Sequence, residues 1–198
     1  MKSSVNKICV LALRRRGGSV RYATAMIDHL QDLEKDVYVS SYCDETTPHA
    51  AIKVKTYHSG LSFILSTMIF LPLLTLRLLP KLIRREYHIL YLPYVHYWSF
   101  FFVPLFRIFR VNIISTIHDG VPHVGDGHWM DLFNARVCCR HSHRLVFLSE
   151  YAKDRVQEKI GFKSESAVIP HGVLDAQTSS NTNSNEVLRS YPNKFKLL

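Results

Sequence analysis

One stretch narrows the possible folds more than any other: residues 113–120, IISTIHDG, where a β-branched run stops on turn residues. Ile113, Ile114 and Ile117, with Ser115 and Thr116 between them, have the composition of a strand buried on both faces, and Asp119-Gly120 is a turn signal directly after it. Such a strand delivers His118 and Asp119 to its own carboxyl end. Comparable runs at 7–13, 36–42, 51–57, 88–92, 144–148 and 166–169 also read as strands, and most are separated by segments of helical periodicity. This alternation predicts an α/β fold with a doubly wound, mostly parallel sheet and right-handed crossovers. Ligands of such sheets bind outside the carboxyl ends of the strands. Gly17-Gly18, His96, His118-Asp119, Ser149-Glu150 and His171-Gly172 all fall along that edge.

The first helix is predicted from Ser19 to about Leu33, with Val20, Ala23, Ile27, Leu30 and Leu33 on one face. The loop before it, RRRGG, carries Gly17 and Gly18, which let backbone N–H groups approach a phosphate or carboxylate at a helix N-terminus. Later helices are predicted at 99–109, at 130–140 and from Glu150 to Gly161, the last with Ser149 as N-cap and Glu150 in its first turn.

Residues 60–85, GLSFILSTMIFLPLLTLRLLPKLIRR, are exceptionally apolar, and 56–76 contains no Asp, Glu, Lys or Arg. About 20 apolar residues suffice to cross a bilayer, but Pro72, Pro80 and Arg77 argue against a span. A buried helix and a helix lying in a membrane interface both remain. In the second case Arg77, Lys81, Arg84 and Arg85 sit at lipid headgroups, each charge near the surface contributing about 1 kcal/mol on an anionic leaflet. The net charge of +9 fits an anionic partner. Without long Lys/Arg blocks, a membrane surface is a better match than a nucleic acid. The expectation is a cytoplasmic protein held peripherally on the cytoplasmic face of the membrane. Cys9, Cys43, Cys138 and Cys139 form no C-x-x-C pair, which fits reduced thiols in the cytosol, and the apolar run near the N-terminus reads as a strand rather than a signal peptide.

Two enzymatic readings can be weighed against the residues. His118, Asp119, His123, Asp126 and His128 are dense enough for a metal, but neither H-E-x-x-H nor H-x-H after the first strand is present, and His141-Ser142-His143 reads as the exposed end of a helix. No metal site is therefore predicted. A nicotinamide enzyme would need the full glycine fingerprint and an acid closing the second strand, whereas Asp36 opens it.

The order of strand, GG loop and helix, then TIHD, then RLVFLSEYAKDRVQEKIGF, then AVIPHGV resembles the N-terminal half of a family-4 glycosyltransferase of the GT-B fold. The match rests on Ser149, Gly161 and 168–173, and Leu174 stands where that family commonly has an aspartate. The resemblance implies a Rossmann-like acceptor-binding domain at 1–174, a polar linker at 175–192 and, at 193–198, the first strand of a second domain that binds the nucleotide-sugar. That domain, or a separate partner chain, would supply the paired glutamates and the phosphate-binding residues. It also implies retaining, metal-independent transfer to a glycan or lipid-linked acceptor in cell-surface polysaccharide synthesis, with a nucleotide-sugar as co-substrate, no further cofactor and no nucleic acid. By position, His118 is placed near the transferred sugar with Asp119 beside it, Gly17 and Gly18 face the donor diphosphate, and Ser149, Glu150, His171 and Gly172 line the cleft. His96 falls on the acceptor side. The alternatives are a non-catalytic membrane-binding subunit of a split transferase and a small metal-dependent hydrolase.

Overall fold

The computed structural model describes residues 7–43, 51–57, 59–118 and 129–170, so Asp119, His123, Asp126, His128, His171, Gly172 and the expected linker and second-domain strand lie outside the described residues. In chain order the elements are β1 (Lys7–Ala12), α1 (Gly18–Asp28), β2 (Lys35–Ser40), β3 (Ile52–Val54), α2 (Gly60–Ile83), β4 (Tyr87–Leu92) and α3 (Ser99–Ile108). There follow β5 (Asn112–Ile117), α4 (Trp129–His141), β6 (Arg144–Phe147), α5 (Glu150–Lys159) and β7 (Glu165–Val168). The strands form one sheet in the order β3-β2-β1-β4-β5-β6-β7, and every neighbouring pair is parallel. The chain thus starts in the middle of its own sheet and reverses direction between β1 and β4, where a doubly wound sheet opens a crevice.

Strand alternation sorts the core into two clusters. Cys9, Leu11 and Leu13 point to one face with the buried residues of α2, α3, α4 and α5, while Ile8, Val10 and Ala12 point to the other with Ala23 and Ile27 of α1. Both faces of β1 are covered, which is why its sequence reads as an unbroken apolar run.

The elements agree with the predicted ones except at several boundaries. Helix α1 stops at Asp28, five residues before Leu33, because residues 29–33 close i→i−3 turns, Leu30 N–H to Ile27 and Leu33 N–H to Leu30, and Lys35 Nζ donates to the Leu30 carbonyl. Leu30 still packs on the core, but Leu33 is exposed. Strand β2 ends at Ser40, whose hydroxyl hydrogen-bonds Thr56 at 2.6 Å and accepts from the Tyr42 amide, turning the chain away. Strand β3 is short and pairs only with β2. The triplet 141–143 is not a wholly exposed helix end, since Ser142 is buried with its hydroxyl 2.8 Å from that of Ser115 and His143 Nδ1 accepts the Ile113 amide.

Helix α2 is continuous through both prolines, starting with a capping box between Ser59 and Ser62. Its inward residues Leu71, Leu74, Leu78 and Leu82 join the sheet core. Lys81 departs from the expected headgroup cluster. Its ammonium lies 2.5 Å from Asp36 Oδ2, and the same carboxylate takes a hydrogen bond from Tyr87 and an ion pair from Lys7 at 3.0 Å. Asp36 therefore pins β1, β2, β4 and α2 together at the amino end of the sheet.

With its side chain only 14% exposed, Asp36 would have its pKa raised by burial alone, but the hydrogen bonds from Lys81, Tyr87 and Lys7 prevail and lower it from 3.8 to about 2. Its contribution, about 2 kcal/mol, is present above the unfolded-state pKa and is lost as pH falls from near 4 through 2. Asp36→Asn is expected to lower stability near neutral pH by ~2 kcal/mol or more, by leaving two ammoniums short of a counter-charge. It should also flatten the acid limb of a urea-unfolding series run at stepped pH; an unchanged acid limb would assign that limb to other carboxylates.

Candidate active site

The crevice opens where β1 and β4 part. A cleft of about 260 Å³ lies there, lined by Leu13 and the Arg14–Arg16 loop on one side and by Thr56, Tyr57, His96 and Tyr97 on the other. The arginine loop is tied to the segment that follows β4. The Arg14 amide donates to Tyr94 Oη at 2.8 Å, its guanidinium lies 5.8 Å from the Tyr94 ring centroid, and its Nη1 reaches Ser19 Oγ. Gly17, at φ 97, then turns the chain into α1, a backbone angle that a side chain would strain. A Cβ at Gly18 would meet nothing within 4 Å, so no described contact requires the second glycine. Helix α1 has no acidic residue in its first turn and no side-chain cap. Its N-terminal N–H groups, with the arginines beside them, give this corner a field that favours an anion.

The far wall is aromatic. Tyr57 stacks on Tyr97 and on His96, with centroids 5.9 and 5.5 Å apart, and Phe63 of α2 packs edge-on to Tyr57. Burial, with the Asp131 carboxylate of the first turn of α4 nearby, raises the Tyr97 phenol above its ordinary range. His96 is buried, and burial, aided by Arg14, lowers its pKa to about 3. Its Nδ1 accepts the Trp98 amide at 3.2 Å, so the neutral ring carries its proton on Nε2. At neutral pH His96 is therefore a fixed hydrogen-bond donor, unsuited to act as a base.

His118 leaves the end of β5 and turns toward β4. Its Nε2 donates to the Pro93 carbonyl at 3.0 Å, and the Tyr22 ring of α1 meets the imidazole edge-on at 4.9 Å. These contacts hold it half-buried on the same sheet edge as the cleft. Gly17, Gly18, His96 and His118 thus gather around the ends of β1, β4 and β5. Ser149 and Glu150 are on that edge too, but at the end of β6: Ser149 Oγ caps α5 by accepting the Ala152 amide, and Glu150 pairs with Lys153. Of the predicted site residues described, only His96 lines the cleft; Gly17, Gly18 and His118 stand beside it on the same edge, and Ser149 and Glu150 lie farther along at β6. Among the described residues no group of three His, Cys, Asp or Glu could hold a metal ion. Cys138 and Cys139 are packing residues, their thiols pushed up to about 12 by burial.

The sequence reading did not single out Arg14–Arg16, Tyr57 and Tyr97 as cleft residues. The available signal was positional: each follows a strand at its carboxyl end. The arginines stand out in sequence as a tight basic cluster beside the glycines, but the aromatic residues they face lie more than 40 positions away.

The structure is similar to that of sucrose-phosphate synthase from Thermosynechococcus elongatus, at 13% identity and TM-score 0.56 over 85% of this chain and 90% of one solved chain. Against a longer chain of that enzyme the identity is 12% and the TM-score 0.59, with 48% of it covered. It is also similar to Anabaena HepE in complex with UDP-glucose, at 15% identity and TM-score 0.57, covering 84% of this chain and 44% of that one. The chain thus spans about half the length of these longer neighbours. No curated protein matches it. At these identities the neighbours establish the fold, one half of a GT-B architecture. The sequence model of Glycosyltransferase Family 4 matches residues 16–176, from the last arginine of the cleft loop past the end of β7, and the chain belongs to that family.

Proposed function

We propose that this chain is the acceptor-side half of a retaining glycosyltransferase that uses a nucleotide-sugar and no metal, in the synthesis of a cell-surface glycan at the cytoplasmic membrane. The observation that carries the reading is the convergence of a cationic loop, an uncapped helix N-terminus and His118 on one sheet edge. HepE, similar in fold, was solved with UDP-glucose, which supports a nucleotide-sugar donor here. In this arrangement the α1 N-terminus and the loop before it meet charge developing on the leaving diphosphate. The stacked Tyr57, His96 and Tyr97 give a sugar acceptor an aromatic wall, and His96 Nε2 offers it a hydrogen bond. His118 stands beside the reacting sugar, where it can hydrogen-bond a hydroxyl or share positive charge in an oxocarbenium-like transition state. The residues that grip the nucleotide come from the facing GT-B half or from a partner chain.

The test is reconstitution. Mixed with nucleotide-sugar and acceptor, the 198-residue chain alone should transfer poorly. Joined to a nucleotide-sugar-binding half it should transfer with retention of anomeric configuration, at a rate that EDTA leaves unchanged. Efficient turnover by the chain alone, an inverted product or loss of rate in EDTA would each overturn the corresponding part of the reading.

A further inference from the structure

Helix α2 is apolar around its whole circumference, and only half of that surface finds a place inside the protein. Leu71, Leu74, Leu78 and Leu82 are taken by the sheet. Leu61, Leu65, Ile69, Leu73 and Leu76 follow one another at i+4 and i+3 steps along the outside, with Ile64 and Met68 beside them, and all are 51–75% exposed. With 24 residues α2 is about 36 Å long, so this is a continuous apolar ridge rather than scattered surface leucines. Among the described residues it is also the one helix long and apolar enough to cross a membrane.

We propose that this ridge docks, in the plane of the interface, onto an anionic lipid surface; the proposal goes beyond the transferase reading and holds whatever sugar is moved. Packing decides between lying on the membrane and crossing it. A spanning helix meets lipid or other helices on all sides, whereas α2 is held to the sheet by its buried leucines and by the Lys81–Asp36 ion pair. Charge decides the partner. The outward face is basic, with Arg77 within the ridge, Arg84 at its end and Arg85 following; α2 contains no acidic residue, and Glu86 beyond it meets Arg84 only at 3.9 Å, leaving a net positive end. The ridge is aliphatic apart from these, with no exposed tyrosine or tryptophan to anchor a protein partner. Long arginine stems let their heads reach headgroups while the leucines enter the acyl boundary. Because α2 begins just after Tyr57, the amino end of the ridge adjoins the cleft's aromatic wall.

The test is flotation of the protein with vesicles of phosphatidylcholine, with and without phosphatidylglycerol. The expected result is binding to the anionic vesicles, several-fold weaker without the anionic lipid and reversed by carbonate extraction. The triple variant L65Q/M68Q/L73Q alters exposed positions only, so it should keep its unfolding midpoint and lose ~tenfold or more in vesicle affinity. Arg77→Gln with Arg84→Gln should weaken anionic vesicles selectively. Failure to float with either vesicle, or full binding by the triple variant, overturns the proposal. Resistance to carbonate overturns the in-plane geometry. A dimer in sedimentation that the triple variant abolishes, without vesicle binding, assigns the ridge to a second copy instead. None of these outcomes depends on sugar transfer, so failure here and failure of the transferase reading are separable.

Discussion

His118→Ala, made in a form carrying both halves of the fold, is expected to lower kcat by about 100-fold or more while changing the unfolding midpoint little. The asymmetry follows from what the side chain touches. Its described contacts are a hydrogen bond donated to the Pro93 carbonyl and an edge-on meeting with Tyr22, and it is only half-buried, so truncation costs on the order of 1 kcal/mol rather than several. In the proposed role the same ring stands where charge develops, and an interaction made only in the transition state appears in kcat rather than in KM. Steady-state kinetics beside a urea melt separate the two. A stability loss of several kcal/mol with an intact rate would make His118 a packing residue, and the catalytic assignment would then have to move elsewhere on the edge.

Trp98→Ala should have the opposite signature, a loss of ~4 kcal/mol in folding stability. Trp98 is fully buried at the start of α3, and its indole N–H donates to Thr67 of α2 at 2.9 Å. Its ring is edge-on to His96 at 5.6 Å and to Tyr57 at 6.4 Å. The substitution opens a large cavity, removes the hydrogen bond to Thr67 and takes away the support of the cleft's far wall. Trp98→Phe keeps most of the volume and gives up the hydrogen bond, so it should cost nearer 1 kcal/mol. Equal losses for the two variants in denaturant titrations would mean that the hydrogen bond to Thr67, not the packing, holds the wall.

Much of this fold was legible because its strands are buried on both faces and its helices on one, leaving two distinct periodicities in the chain. IISTI and KICVLAL could be read as central strands for that reason. The boundaries that shifted did so where side chains cap or turn the backbone: Lys35 on the Leu30 carbonyl, and Ser40 on Thr56 and the Tyr42 amide. Such bonds join residues whose proximity local periodicity does not encode. Lys81 is the same lesson in charge. In sequence it belongs to the cluster with Arg84 and Arg85, whereas in space it belongs to Asp36, 45 positions away.

By itself the sequence determined the α/β class, the parallel sheet, the edge on which His118 and the glycine loop stand, and the family. Each depends on spacing along the chain, which periodicity and turn chemistry record directly. Only the tertiary structure decided that strand order reverses between β1 and β4, so that Arg14–Arg16 face Tyr57, His96 and Tyr97 across one cleft. It alone decided which side of α2 the sheet takes and which remains outside. A helix with leucine, isoleucine or methionine on every side and only two charges carries little internal asymmetry from which its buried face could be read; the sheet supplies that asymmetry by covering one side.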